Sequence, residues 1–148
     1  MTVTAADIAA AARALVGTPF VPKGRVAGVG TDCKGVMILA TRACGIAMHD
    51  DLDYAFPPDP ESAALEAATR AHLTMRIRLG VGRVLGFSPC LHGEKGVQHF
   101  AIQTSDAHPG CEARMVHCRS GRGVREETID RTWLQLLRAT YRLPGVTY

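Results

Sequence analysis

Three residues have side chains and surroundings that could cleave an acyl bond. Cys33 closes the glycine-rich run Gly24 to Gly30 and Thr31-Asp32, and an apolar segment starts at it. A cysteine thiol has a free pKa of about 8.5, and placement at a helix N-terminus favours the thiolate. The same placement aims unpaired backbone N–H groups at whatever binds beside the sulfur, which makes an oxyanion site. His99 lies in Val97-Gln98-His99-Phe100-Ala101-Ile102 and His117 in Met115-Val116-His117-Cys118, both strand-like runs. On a strand, His99 shares a face with Ala101 and Gln103, away from Phe100 and Ile102. An adjacent antiparallel strand would bring His117 behind His99, where it would accept one ring proton and fix the tautomer that turns the other nitrogen to Cys33. Each residue also has a plainer reading: a small core cysteine and two structural strand histidines.

The elements that must hold these residues follow from periodicity. Thr4 and Asp7 form a capping-box pattern, and Ile8, Ala11, Ala12 and Leu15 recur at helical spacing, which predicts a first helix ending near Gly17. Residues 17–30 read as loop. Cys33 to Cys44 is apolar nearly all round, a buried helix stopped by Gly45. Asp59-Pro60-Glu61 reads as the start of a third helix running to about Leu73. Alternation then predicts strands at Met75–Leu79, Val84–Phe87, Val97–Thr104, Ala113–Cys118 and Gly123–Glu127. A short helix around Trp133 to Leu137 and a last strand Ala139–Leu143 follow. Helices first and a mostly antiparallel sheet afterwards is the α+β pattern. At 148 residues one domain over 1–148 is expected.

In that order, Gly17-Thr18-Pro19-Phe20, Gly30-Thr31-Asp32-Cys33-Lys34-Gly35, His99-Phe100-Ala101-Ile102 and Val116-His117 resemble the NlpC-type, papain-like cell-wall cysteine peptidases. Within these they look most like the branch encoded with phage tails and gene-transfer particles. Val124-Arg125-Glu126, Trp133 and Tyr141-Arg142-Leu143-Pro144 continue the likeness to the end of the chain. The resemblance implies Cys33 as nucleophile at the start of a central helix, His99 as general base and His117 as the residue orienting it. Phe20, Asp32 and Lys34 would belong to the substrate and oxyanion region. It implies cleavage of peptidoglycan stem peptides, commonly at the γ-D-glutamyl to diamino-acid bond, with no metal or cofactor.

Two positions depart from that pattern. Phe20 stands where a Tyr hydroxyl near the reacting carbonyl is usual, so one donor is missing. Lys34 stands where Ser is frequent. Phe20→Tyr is therefore expected to speed thioester formation, and an unchanged rate would mean that another group already fills the hole. The departures also admit a tail-tip component with weak or lost activity, and the same dyad could serve an amidase or acyltransferase. The substrate pocket is expected between the Val21–Thr31 loop and residues 47–59.

Bulk properties exclude several other classes. A net charge of +3 without a dense Lys/Arg run argues against a nucleic-acid partner. Met1 to Ala14 carries Asp7 and Arg13 and does not read as a signal peptide, and no run is apolar enough to insert in a membrane. Five unevenly spaced cysteines do not make a disulfide framework, so reduced thiols and synthesis in a bacterial cytoplasm are expected, followed by association with a tail and action on the cell wall. Cys90, His92, Cys111, His117 and Cys118 are a metal-like set in composition, but they lack a C-x-x-C or another zinc spacing.

Overall fold

The computed structural model describes residues 2–56, 67, 73–76, 78–88 and 96–148, with the side chains of 74–76 left aside. Helix α1 (Ala5–Arg13) starts where the sequence places it. Thr4 is its N-cap, and the Thr4 and Asp7 side chains bond reciprocally to each other's backbone N–H. Helix α2 (Cys33–Ala43) begins on the N-cap Asp32, whose carboxylate accepts from the Gly35 N–H at 2.8 Å. Between them, residues predicted as loop form a small hairpin of β2 (Arg25–Val26) and β3 (Gly30–Thr31). β1 (Val3–Thr4) pairs in parallel with the C-terminal β10 (Val146–Thr147), a long-range pairing that no local pattern announces.

The main sheet contains β4 (Thr74–Arg76), β5 (Val84–Phe87), β6 (His99–Ser105), β7 (Arg114–Arg119), β8 (Gly123–Thr128) and β9 (Leu137–Arg142). Its order is β4-β9-β5-β6-β7-β8, and every described pairing is antiparallel. The last long strand thus lies between two earlier ones, reached through the short helix α3 (Arg131–Leu136) capped by Asp130. The third helix expected from Asp59 onward falls largely outside the described residues.

The sheet buries both faces. Phe100, Ile102, Val116, Cys118, Val124 and Tyr141 pack with Ile8 of α1 and Val36 to Ala40 of α2. The opposite face holds a smaller cluster of Leu85, Phe87, Ala101, Met115 and Ile129, closed by Trp133 and Leu136 of α3. This explains the near absence of a polar face in β5 and β6, whose residues are buried in succession. No helix among the described residues is long and apolar enough to cross a membrane.

Candidate active site

A cavity of about 300 Å³ opens where the N-terminus of α2 meets the start of β6 and the end of β7. Cys33 and His99 both line it, together with Phe20, Asp32, residues 54–56, Gln98 and residues 118–120. Helix α2 lies on one face of the sheet, whereas strand alternation puts His99 on the face covered by α3. Both reach the same cavity because Cys33 is the first residue of its helix and His99 the first of its strand. His117 lies two residues from the end of β7, fully buried behind His99.

The histidines form a relay with a defined direction. His99 Nε2 is 2.9 Å from His117 Nδ1. On its other side, His117 Nε2 lies 3.2 Å from Glu127 Oε2, at ion-pair distance but not aligned as a good hydrogen bond. Glu127 reaches it as a diagonal neighbour, since β8 pairs Arg125 with His117 and Glu127 with Met115. A proton on His117 Nε2 faces that carboxylate, so Nδ1 is left to accept and His99 Nε2–H to donate. His99 Nδ1 is then the unprotonated nitrogen, the one available as a base. Trp133 fixes the rings, stacked on His99 with centroids 5.8 Å apart and edge-on to His117 at 5.1 Å.

Burial sets the protonation states. It pushes the Cys33 thiol up to about 11, with the neighbouring Asp32 charge acting in the same direction and backbone hydrogen bonds from Phe100 and Lys34 opposing it. Burial pushes His99 down to about 3, helped by His117 and by the positive charge of Arg119 at the cavity edge. His117 is lowered by burial as well, against the pull of Glu127. Burial thus favours the uncharged form of both groups, thiol and imidazole. Haloacetamide labelling of Cys33 is expected to rise about tenfold per pH unit toward pH 11. A labelling plateau from about pH 5 to 8 would instead show a preformed thiolate–imidazolium pair.

Asp32, Lys34 and Phe20 take different places around this cavity. Asp32 lines it, and its carboxylate is bound by Gly35 N–H, Lys23 N–H at 2.8 Å, Arg25 Nη1 at 3.0 Å and the Tyr54 hydroxyl at 2.6 Å. Arg25 also holds Asp50 through Nε at 2.6 Å and donates to Tyr54 at 2.8 Å. Burial opposes the Arg25 charge, but its bonds to Asp50 and Tyr54 and the nearby Asp32 more than offset that and raise its pKa. Burial and the bond to Asp32 likewise raise the Tyr54 pKa. The close approach of Arg25 depends on Gly35: a Cβ there would stand 2.8 Å from Arg25 Nη1 and 2.7 Å from the Gly24 carbonyl oxygen.

Lys34 is 1% exposed and is not among the residues lining the cavity. Its ammonium donates to the Asp51 carbonyl, lies 3.7 Å from Asp50 and sits over the Tyr54 ring. Burial lowers its pKa. Phe20 lines the cavity with its ring 4.8 Å from that of Phe56. The expected pocket walls are met at Tyr54 to Phe56. The Val21–Thr31 loop contributes only its two flanks, because its hairpin leans outward and leaves Val26 and Val29 exposed. Among the described residues no group of three or more His, Cys, Asp or Glu is placed to hold a metal ion, and Cys90 and His92 lie outside those residues.

With the geometry in place, comparison with solved structures gives the fold. A crystal structure from Staphylococcus aureus subsp. aureus Mu50, described as similar to lipoprotein, NLP/P60 family, aligns with a TM-score of 0.62 at 17% identity. The chain has the fold of that NLP/P60 protein. The alignment covers 94% of this chain and 41% of the Staphylococcus chain, so the chain spans less than half of its neighbour. No family model matches the chain, and no curated protein does. The NLP/P60 fold is thus shared in three dimensions at an identity where sequence alone carries little.

Three participants escaped the sequence reading. Glu127 was visible only as the end of a strand, and its role needs the β7–β8 register. Tyr54 sits in a polar, Pro-flanked stretch whose one signal is an aromatic among aspartates. Gln98 precedes His99 and is masked by it.

Proposed function

We propose that this chain is a cysteine peptidase that cleaves the peptide stems of bacterial peptidoglycan. The observation that carries the reading is the line Glu127, His117, His99 leading into a cavity that also holds Cys33 at a helix N-terminus. Cys33 is the nucleophile, His99 the general base and His117 the orienting residue. As the sulfur bonds to the scissile carbonyl carbon, its proton passes to His99 Nδ1 and the carbonyl π pair moves onto oxygen. Return of that pair expels the amine, which takes the proton from His99 and leaves a thioester. Water then adds, giving its proton to His99, and Cys33 departs as the acid forms. Neutral His99 is the competent form for the first step, consistent with its low pKa.

The γ-D-glutamyl to diamino-acid bond is the proposed cleavage point, and a phage or phage-like tail the proposed setting; both come from the motif resemblance. The chemistry class rests on the fold and the cavity. Digestion of purified peptidoglycan with masses of the released stems tests the reading directly. The expected products are γ-D-glutamyl acids with a new diamino-acid amine, released by the wild type and not by Cys33→Ala. Intact stems would favour a tail-tip scaffold that keeps the fold without the reaction. The departures at Phe20 and Lys34 are what motivate that second reading.

A further inference from the structure

Gln98 is 7% exposed, lines the cavity beside Cys33 and His99, and its side-chain Nε2 is buried with no hydrogen-bond partner among the described residues. A buried amide donor left unpaired costs about 1–3 kcal/mol, and such a group in a native fold calls for an explanation. Its position is held by the backbone, since the Gln98 N–H donates to the Phe87 carbonyl at 2.9 Å, beside the Phe87–His99 pair that ends the β5–β6 ladder. From there its side chain reaches the cavity that Cys33 and His99 also line.

We infer that Gln98 Nε2 is an oxyanion-hole donor, binding the oxygen that becomes negative when the Cys33 sulfur adds to a substrate carbonyl, together with the backbone N–H groups at the start of α2. The inference rests on the peptidase reading and deepens it. Other polar groups lining the cavity are less suited. Phe20 has no donor, the Asp32 carboxylate has only acceptors, the Tyr54 hydroxyl is already given to Asp32, and Arg119 and Ser120 are exposed, with Arg119 drawn to Glu127 and the Trp133 ring. Gln98 thus takes the place of the hydroxyl missing at position 20. During attack its N–H bond stays intact. Only the carbonyl π pair moves, onto the oxygen that Nε2 faces, and it returns when the amine leaves.

Single-turnover acylation by a γ-D-glutamyl stem peptide, haloacetamide alkylation of Cys33 and affinity for a peptide aldehyde test this on the full chain. Gln98→Met keeps the length and removes the donor. Gln98→Glu keeps the shape and replaces the donor with an acceptor, so it serves where Met disturbs packing. Both are expected to slow acylation by about 10²–10³ and to weaken the aldehyde similarly, while substrate KM and alkylation change little. Phe20→Tyr is expected to recover part of the loss beside Gln98→Met. Acylation at the wild-type rate in both Gln98 variants overturns the inference and leaves the peptidase reading standing. An equal loss of acylation and alkylation also overturns it, by showing a purely structural role. If the wild type is alkylated at Cys33 but acylated by no stem peptide, the peptidase reading falls and the inference with it.

Discussion

Cys33→Ala is expected to reduce stem-peptide hydrolysis to background, a loss on the order of 10⁶ in kcat by comparison with removal of a nucleophile from other hydrolases. Among the described residues, the other thiol lining the cavity is poorly placed to take over. Cys118 lines the same cavity, but its Sγ is tied to the Thr31 carbonyl oxygen at 3.3 Å, and burial pushes its thiol up to about 12. His99→Ala is expected to be almost as damaging, because the Cys33 thiol is protonated at neutral pH and needs a base to lose its proton during attack. His117→Ala removes orientation only and leaves the base and nucleophile in place, so a smaller loss is expected, concentrated in kcat. The measurement is initial rate on a defined stem peptide, with circular dichroism to show that each variant is folded. Turnover by Cys33→Ala equal to wild type would rule out Cys33 as the nucleophile. A His117→Ala loss as large as that of His99→Ala would mean that the second histidine does more than orient.

The second large effect is on stability. Asp32→Ala is expected to destabilise the fold by about 3–5 kcal/mol, the range seen when one partner of a buried ion pair is removed. The change deletes the N-cap of α2 and strands three donors at once: the Lys23 N–H, one arm of Arg25 and the Tyr54 hydroxyl. Arg25 keeps Asp50, which limits the penalty. Asp32→Asn keeps the shape but turns part of an acceptor into a donor, facing Lys23 N–H or Tyr54, and is expected to fall between wild type and Asp32→Ala. Thermal melts check this, with an expected fall in Tm of about 10 °C for Asp32→Ala. An unchanged Tm would mean that the network around Arg25 does not hold the cavity wall. Because that network joins the β2–β3 hairpin, the start of α2 and residues 50–54, its loss should also blunt activity on any substrate.

Local chemistry was legible in the sequence wherever a short-range rule governed it. The Thr4–Asp7 capping box and the apolar run from Cys33 set the start of α1 and both ends of α2 to within a residue, because caps and 3.6-residue periodicity act over a single turn, whereas α1 stops at Arg13, short of the end expected near Gly17, and residues 14–17 turn instead. The strands at Val84–Phe87 and Gly123–Thr128 followed from alternation and turn residues. Cys33, His99 and His117 stood out by residue type and by their order along the chain. What the sequence could not supply was anything set by register or by a partner far along the chain. That β9 inserts between β4 and β5, and that β1 pairs with β10, depends on which edges remain open once the other strands have paired. The Glu127 contact to His117 depends on one diagonal across β7 and β8, and a slip of one residue would turn that carboxylate to the other face. Lys34 reads as a residue of the substrate region because it follows Cys33. One residue of helix turns its side chain about 100° away, and there it is buried against residues 50–54. Gln98 reads as an ordinary polar residue before a histidine. Only packing, which removes water from its amide and offers no protein acceptor in return, marks it as a group waiting for a ligand.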